Sequence, residues 1–126
     1  MRPSAQELLR SWLEDPAVDE ATKDELRTIA DDPREVEDRF FRDLEFGTGG
    51  LRGVMGAGTN RMNRYVIGRA TQGLAEDLLE RAGGDEAPLV VIAHDSRRNS
   101  AEFALEAACV LAANGIRVRL FRGLRP

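Results

Sequence analysis

The sequence predicts an α/β domain preceded by a helical arm, and three observations carry that reading. The first third of the chain shows only charged, amphipathic helical patterns. Later, a continuous apolar run, Leu89-Val90-Val91-Ile92-Ala93, is followed by a helical pattern and then by a second strand-like stretch. Between these regions lies a glycine-rich segment that fits neither pattern: Phe46-Gly47-Thr48-Gly49-Gly50-Leu51-Arg52-Gly53, continued by Val54-Met55-Gly56-Ala57-Gly58-Thr59-Asn60.

The arm spans residues 1–43. Ser4-Ala5-Gln6-Glu7 has the capping-box pattern, and Leu8, Leu9, Trp12 and Leu13 follow on one helical face until Asp15-Pro16 breaks it. Thr22-Lys23-Asp24-Glu25 is read as the cap of a second short helix carrying Leu26 and Ile29. Asp32-Pro33 places an N-cap and a proline at the first position of a third helix, with Val36 and Phe40 facing inward. These helices read as an arm packed on the domain, with no chemistry of their own.

Residues 44–126 form the domain. Asn63 is positioned to cap a longer helix on which Ile67, Ala70, Leu74 and Leu78 recur, and Gly83-Gly84 ends it. The Leu89–Ala93 run has the pattern of a strand buried on both faces. Asp95-Ser96-Arg97-Arg98-Asn99-Ser100 makes a polar turn, with Asn99 and Glu102 spaced as a capping-box variant. A helix from about Ala101 to Ala113 follows, with Phe103, Ala107, Ala108 and Leu111 inward and Asn114-Gly115 closing it. Ile116–Phe121 then alternates with period two. Strand, crossover helix and strand make a βαβ unit with parallel strands, and ligands of open α/β sheets sit beyond the carboxyl ends of such strands.

Composition narrows the function classes. At 126 residues and 42% apolar content the chain has room for one core and little more. A formal net charge of −4 argues against a nucleic-acid partner or an anionic membrane surface. The single cysteine, Cys109, excludes an internal disulfide framework and fits a reducing, cytoplasmic setting. Neither a transmembrane run nor a secretory leader is visible.

The chemistry-bearing residues concentrate at two places. Six glycines, two threonine hydroxyls and one arginine fall within Phe46–Asn60. Glycine allows close backbone approach and positive φ, consecutive N–H groups form an anion-binding concavity, and an arginine fork suits phosphate oxygens. The segment thus reads either as a binding loop for a phosphorylated small molecule or as a connector; Arg52, framed by glycines, tips the reading toward binding. Its glycine spacing is neither that of a Walker A motif nor that of a dinucleotide fingerprint. At the polar turn, Asp95 and Arg97 either hold substrate or brace the turn, and bracing is preferred. A Ser100–His94 nucleophile pair is disfavoured by the opposite facing of strand neighbours. Cys109 reads as a small core residue. No metal-ligating cluster is spaced for binding.

Leu44–Gly53 resembles the opening motif of the phosphohexomutases, the phosphoglucomutase/phosphomannomutase superfamily. Met55–Asn63, Ile67–Gly73, Val91–Ser100 and Ala112–Pro126 are similar to successive blocks of its phosphoglucomutase–phosphopentomutase branch. The resemblance implies a three-layer α/β/α domain with a mixed or parallel sheet, here the N-terminal, incomplete part of domain I. It also implies that Arg52 helps bind a bisphosphorylated sugar, that Thr48, Gly49 and Gly50 line the same site, and that Asp95 and Arg97 support it. Gly49 stands where many relatives have serine, and Ala93 where a glycine is frequent.

The same resemblance implies an isomerase that interconverts sugar 1- and 6-phosphates, or pentose 1- and 5-phosphates, by phosphoryl transfer. Such enzymes use a phosphoserine and bound magnesium, with a sugar bisphosphate as activator. The phosphoserine and magnesium loops are not among these 126 residues, so no catalytic or metal-ligating residue is assigned, and the chain alone is expected to be inactive and prone to self-association. The rival expectation is a non-catalytic homologue or a small module that binds a sugar phosphate or a partner.

Overall fold

The computed structural model of the chain describes residues 1–47, 50–83 and 87–123. They fall into two compact units, residues 1–63 and 64–126. The first holds three helices, α1 (Ala5–Glu14), α2 (Glu20–Ile29) and α3 (Pro33–Phe40), and a short antiparallel pair, β1 (Phe46–Gly47) and β2 (Gly50–Leu51). The second holds α4 (Arg64–Ala82), β3 (Leu89–Ile92), α5 (Ser100–Ala113) and β4 (Arg117–Leu120). The architecture is α/β with a helical N-terminal arm.

Each arm helix starts where a side chain satisfies its free backbone donors. The Ser4 hydroxyl accepts from the Glu7 N–H at 3.1 Å. Asp32 accepts from the Arg34 and Glu35 N–H groups, with Pro33 at the first helical position. The second helix begins earlier than the expected cap at Thr22. Asp19 caps it instead, accepting from both the N–H and the hydroxyl of Thr22, and so draws Thr22 into the first turn. The apolar faces meet in one core in which Leu26, Val36 and Phe40 are completely buried together with Leu9 and Ala5. Trp12 packs edge-on against Phe40, with ring centroids 5.6 Å apart. Ala57, from the glycine-rich segment, lies in this same core.

In the second unit β3 and β4 are parallel, in register from Leu89 opposite Arg117 to Ile92 opposite Leu120. Ala75, Leu111 and Ile116 form its core, with Leu78, Val90, Ile92 and Val118 packed against them. The buried line of α4 runs through Thr71 and Ala75, while Leu74 of the expected stripe is 46% exposed. Thr71 tolerates burial because its hydroxyl donates to the Ile67 carbonyl at 2.7 Å. The helix ends are glycine turns: Gly83 and Gly115 have φ of 64° and 78°. Asn114 and Gln72 exchange side-chain amide hydrogen bonds, tying the end of α5 to α4.

Three expectations are corrected here. Leu89 and Val91 are 43% and 56% exposed, so β3 is covered on one face only among the described residues. The apolar run identifies a strand, but its second face has no covering layer among the described residues of the unit. Cys109 is exposed rather than in the core, because the buried side of α5 passes through Ala104 and Leu111. Asn99 stands at the N-cap of α5 without a capping hydrogen bond, its φ of 65° turning it out of the capping geometry. Among the described residues no helix is long and apolar enough to cross a membrane.

The packing predicts that Phe40→Ala lowers stability by about 3–5 kcal/mol, the cost of emptying a fully buried aromatic site. Phe41→Ala, at a 47% exposed neighbour, should cost less than about 1 kcal/mol. Urea titrations followed through Trp12, the only tryptophan, measure both.

Candidate functional site

The glycine-rich segment folds as a hairpin on a braced base. β1 pairs with β2 through Phe46 opposite Leu51 and Gly47 opposite Gly50, and Gly50 takes a positive φ of 103°. Two-residue strands leave no periodicity to read, which is why the pairing was not expected from sequence. Thr48 and Gly49, two of the expected phosphate-site residues, lie outside the described residues. Arg52 follows β2 directly; it is exposed and makes no hydrogen bond or ion pair among the described residues.

Both limbs below the hairpin are tied down. On the incoming limb the Leu44 N–H donates to the Thr59 carbonyl at 2.9 Å. On the outgoing limb the Met62 N–H donates to the Val54 carbonyl at 2.8 Å, and the Gly56 N–H to the Met62 carbonyl at 3.1 Å. The limbs press together at Gly53, where an added Cβ would lie 2.8 Å from the Leu44 side chain. The Asn63 side-chain amide N–H groups donate to the Gly56 and Gly58 carbonyls, each at 2.9 Å.

The arm supplies the rest of the bracing. The Arg39 guanidinium, 13% exposed, donates to Glu25 at 2.6 Å, to Glu35 at 2.9 Å and to the Ala57 carbonyl at 3.0 Å. Glu25 accepts from the Ala57 N–H at 2.8 Å. Burial pulls the Glu25 carboxyl upward, but the Ala57 N–H and the Arg39 guanidinium outweigh it and hold its pKa below the ordinary value. Arg61, buried, pairs with Asp38 at 2.5 Å, and the Asn60 N–H donates to the Arg39 carbonyl at 2.9 Å. Sequence reading gave the arm no chemistry and missed Glu25 and Arg39. Only the Glu35–Arg39 spacing, one helical turn, left a local trace; the Glu25–Ala57 contact spans 32 residues.

The second unit carries the polar turn after β3. Asp95 accepts from the Arg97 N–H at 3.0 Å and from its guanidinium at 2.8 Å. The Arg97 backbone donor, then its guanidinium, hold the Asp95 carboxyl below the usual aspartate range. The Ser100 hydroxyl accepts from the Asp95 N–H at 3.1 Å. Among the described residues His94 Nδ1 is buried without a hydrogen-bond partner, so no Ser100–His94 pair forms through that nitrogen. Gly50 and Arg52 thus belong to one unit, and Asp95 and Arg97 to the other. Among the described residues no group of three or more His, Cys, Asp or Glu side chains is arranged to hold a metal ion.

Comparison with known proteins decides the lineage. The family described as "Phosphoglucomutase/phosphomannomutase, alpha/beta/alpha domain I" matches residues 43–126, more than half of the chain. The chain belongs to this family. Within it, a probable phosphoribomutase of Schizosaccharomyces pombe is 36% identical over 123 residues, covering 96% of this chain and 21% of that protein. A phosphoglucomutase of Staphylococcus haemolyticus is 40% identical over 84 residues, covering 67% of this chain and 15% of that protein. A mouse phosphopentomutase is 33% identical over 121 residues, covering 91% and 19%. The chain therefore spans about a fifth or less of the length of these phosphoglucomutase/phosphomannomutase relatives. No solved structure gives a significant match.

Two measurements check this geometry. Gly58 has a φ of 125°, and an added Cβ would lie 2.7 Å from the Arg39 carbonyl oxygen. Gly58→Ala should destabilise by about 2 kcal/mol or more, whereas Gly73→Ala, in an open helical position of α4, should stabilise by about 0.5–1 kcal/mol. In an NMR pH titration the Asp95 carboxyl should have its midpoint below that of an unstructured aspartate peptide. The Asp95–Arg97 turn is then intact above the ordinary aspartate range and loosens only as pH falls through the depressed midpoint.

Proposed function

We propose that this chain supplies a phosphate-binding part of a mutase that interconverts sugar 1- and 6-phosphates or pentose 1- and 5-phosphates. The observation that carries the reading is Arg52: an exposed guanidinium, without a protein partner among the described residues, next to a glycine hairpin on a braced base. A planar, permanently charged fork presented this way suits a phosphate oxygen pair, and a braced base keeps the reorganisation on binding small. The relatives' names supply the substrate class: phosphoribomutase, phosphoglucomutase and phosphopentomutase. The proposed ligand is a phosphorylated sugar, with a sugar bisphosphate as activator, and Gly50 beside Arg52 is proposed to line its phosphate.

Magnesium is the cofactor proposed for the whole mutase, with its ligands outside these residues. The residues here bind and orient, and the transfer step belongs to groups other than these. We propose that the chain by itself is inactive as a mutase. Exposed Leu89 and Val91 on a two-stranded sheet support self-association of the isolated chain. The lone Cys109, exposed and free, supports a reducing, cytoplasmic setting.

In a whole mutase carrying this chain, Arg52→Ala should lower kcat/KM by about 10- to 100-fold, the loss of a charge-assisted phosphate contact. Arg34→Ala, at an exposed arm position, should change it less than twofold. Equal effects in a coupled assay with glucose 1-phosphate and ribose 1-phosphate would remove Arg52 from the site.

A further inference from the structure

The hairpin that presents Arg52 stands on a base whose bracing comes from the arm. The Ala57 peptide is gripped on both sides: its N–H donates to Glu25 on α2, and its carbonyl accepts from Arg39 on α3. Glu25 and Arg39 are themselves joined at 2.6 Å, so the three groups form one closed ring of hydrogen bonds. Gly56 packs closely against this ring, since an added Cβ would lie 3.1 Å from Glu25 and 3.2 Å from Arg39. From Ala57 the path to Arg52 is short. The adjoining residue, Gly56, bonds to Met62, which in turn holds Val54, two residues after Arg52.

We infer that Glu25 is a positioning residue for phosphosugar binding: its carboxylate fixes the Ala57 peptide and, through the 54–62 backbone ladder, the direction in which Arg52 is presented. This rests on the phosphosugar reading of Arg52 and assigns the arm a part in it. A carboxylate is the group required here. It accepts from a backbone N–H and a guanidinium at one oxygen, Oε2, which both donors reach within 2.8 Å. The depressed Glu25 pKa agrees with an anion held by two donors. Among the described residues the Glu25 carboxylate bonds to Arg39 and Ala57 and not to Arg52, so its effect on binding passes through the backbone. A guanidinium re-aimed by one ångström loses much of its contact with a phosphate, so small displacements of the base are amplified at the ligand.

The test measures the dissociation constant of glucose 1,6-bisphosphate at 10 °C for the whole protein carrying this chain, in Glu25→Ala, Glu25→Gln, Glu20→Ala and Arg52→Ala forms. Melting curves confirm that each is folded at that temperature. Glu25→Ala should weaken binding about five- to tenfold, within the range of couplings carried through packed networks. Glu25→Gln, which keeps an oxygen for the Ala57 N–H but drops the charge, should fall between it and the unaltered protein. Glu20→Ala removes an exposed arm carboxylate paired with Arg27 and should leave binding unchanged. If Glu25→Ala does not fold, Glu25→Gln decides. Unchanged affinity in folded Glu25 variants, with Arg52→Ala weakened, would overturn the positioning role and leave the phosphosugar reading standing. Unchanged affinity in Arg52→Ala would overturn both.

Discussion

Arg39 is the residue on which the first unit depends. Its guanidinium joins Glu25 of α2, Glu35 of α3 and the Ala57 carbonyl, while its own carbonyl accepts from Asn60. A nearly buried arginine is tolerable only because carboxylates on two helices neutralise and hydrogen-bond it. Removing either would leave a desolvated charge. The requirement runs both ways: the arm helices must be docked for Arg39 to be satisfied, and the glycine segment must be closed for Ala57 to complete the ring. Apolar burial acts in the same sense, since Ala57 shares a core with Leu26, Val36 and Phe40.

This constraint changes what the glycine segment is. A run with six glycines in fifteen residues has a large conformational entropy to lose, and as a connector it would stay mobile. Here three of the glycines permit close contact. Gly58 and Gly56 sit against Arg39 and Glu25 where a Cβ would intrude, and Gly53 lets the two limbs close on Leu44. The result is a hairpin with a firm base and an unencumbered arginine, a combination suited to binding an anion at little reorganisation cost. Under the proposed function that anion is a sugar phosphate, the class that the relatives' names carry.

Much of this was legible in the residues because the signals were local. Ser4 with Glu7 and Asp32 with Pro33 mark helix starts within one turn, and those starts are observed. The βαβ order and the Asn114-Gly115 stop were likewise readable. Most of what was not legible depends on distant partners. Asp19 rather than Thr22 caps α2, a local choice that two adjacent capping candidates leave open, and its carboxylate takes the Thr22 N–H and hydroxyl. Leu89 and Val91 have the composition of core residues, but burial is a property of what covers them. Cys109 shows the same limit on a helix apolar on several sides. At the candidate site, Arg52 drew attention by its glycine frame, whereas Glu25 looked like any charged residue of a solvated helix until the fold brought it to Ala57.

The central claim is that arm and glycine segment are one cooperative structure. Native-state hydrogen exchange across a denaturant series tests it most directly. The Ala57, Asn60 and Met62 amides, bonded to Glu25, Arg39 and Val54, should open with the same free energy and denaturant dependence as the amides of α3. Exchange of the 57–62 amides through a low-energy, denaturant-independent opening while α3 stays protected would contradict the account, because the glycine segment would then move independently of the arm.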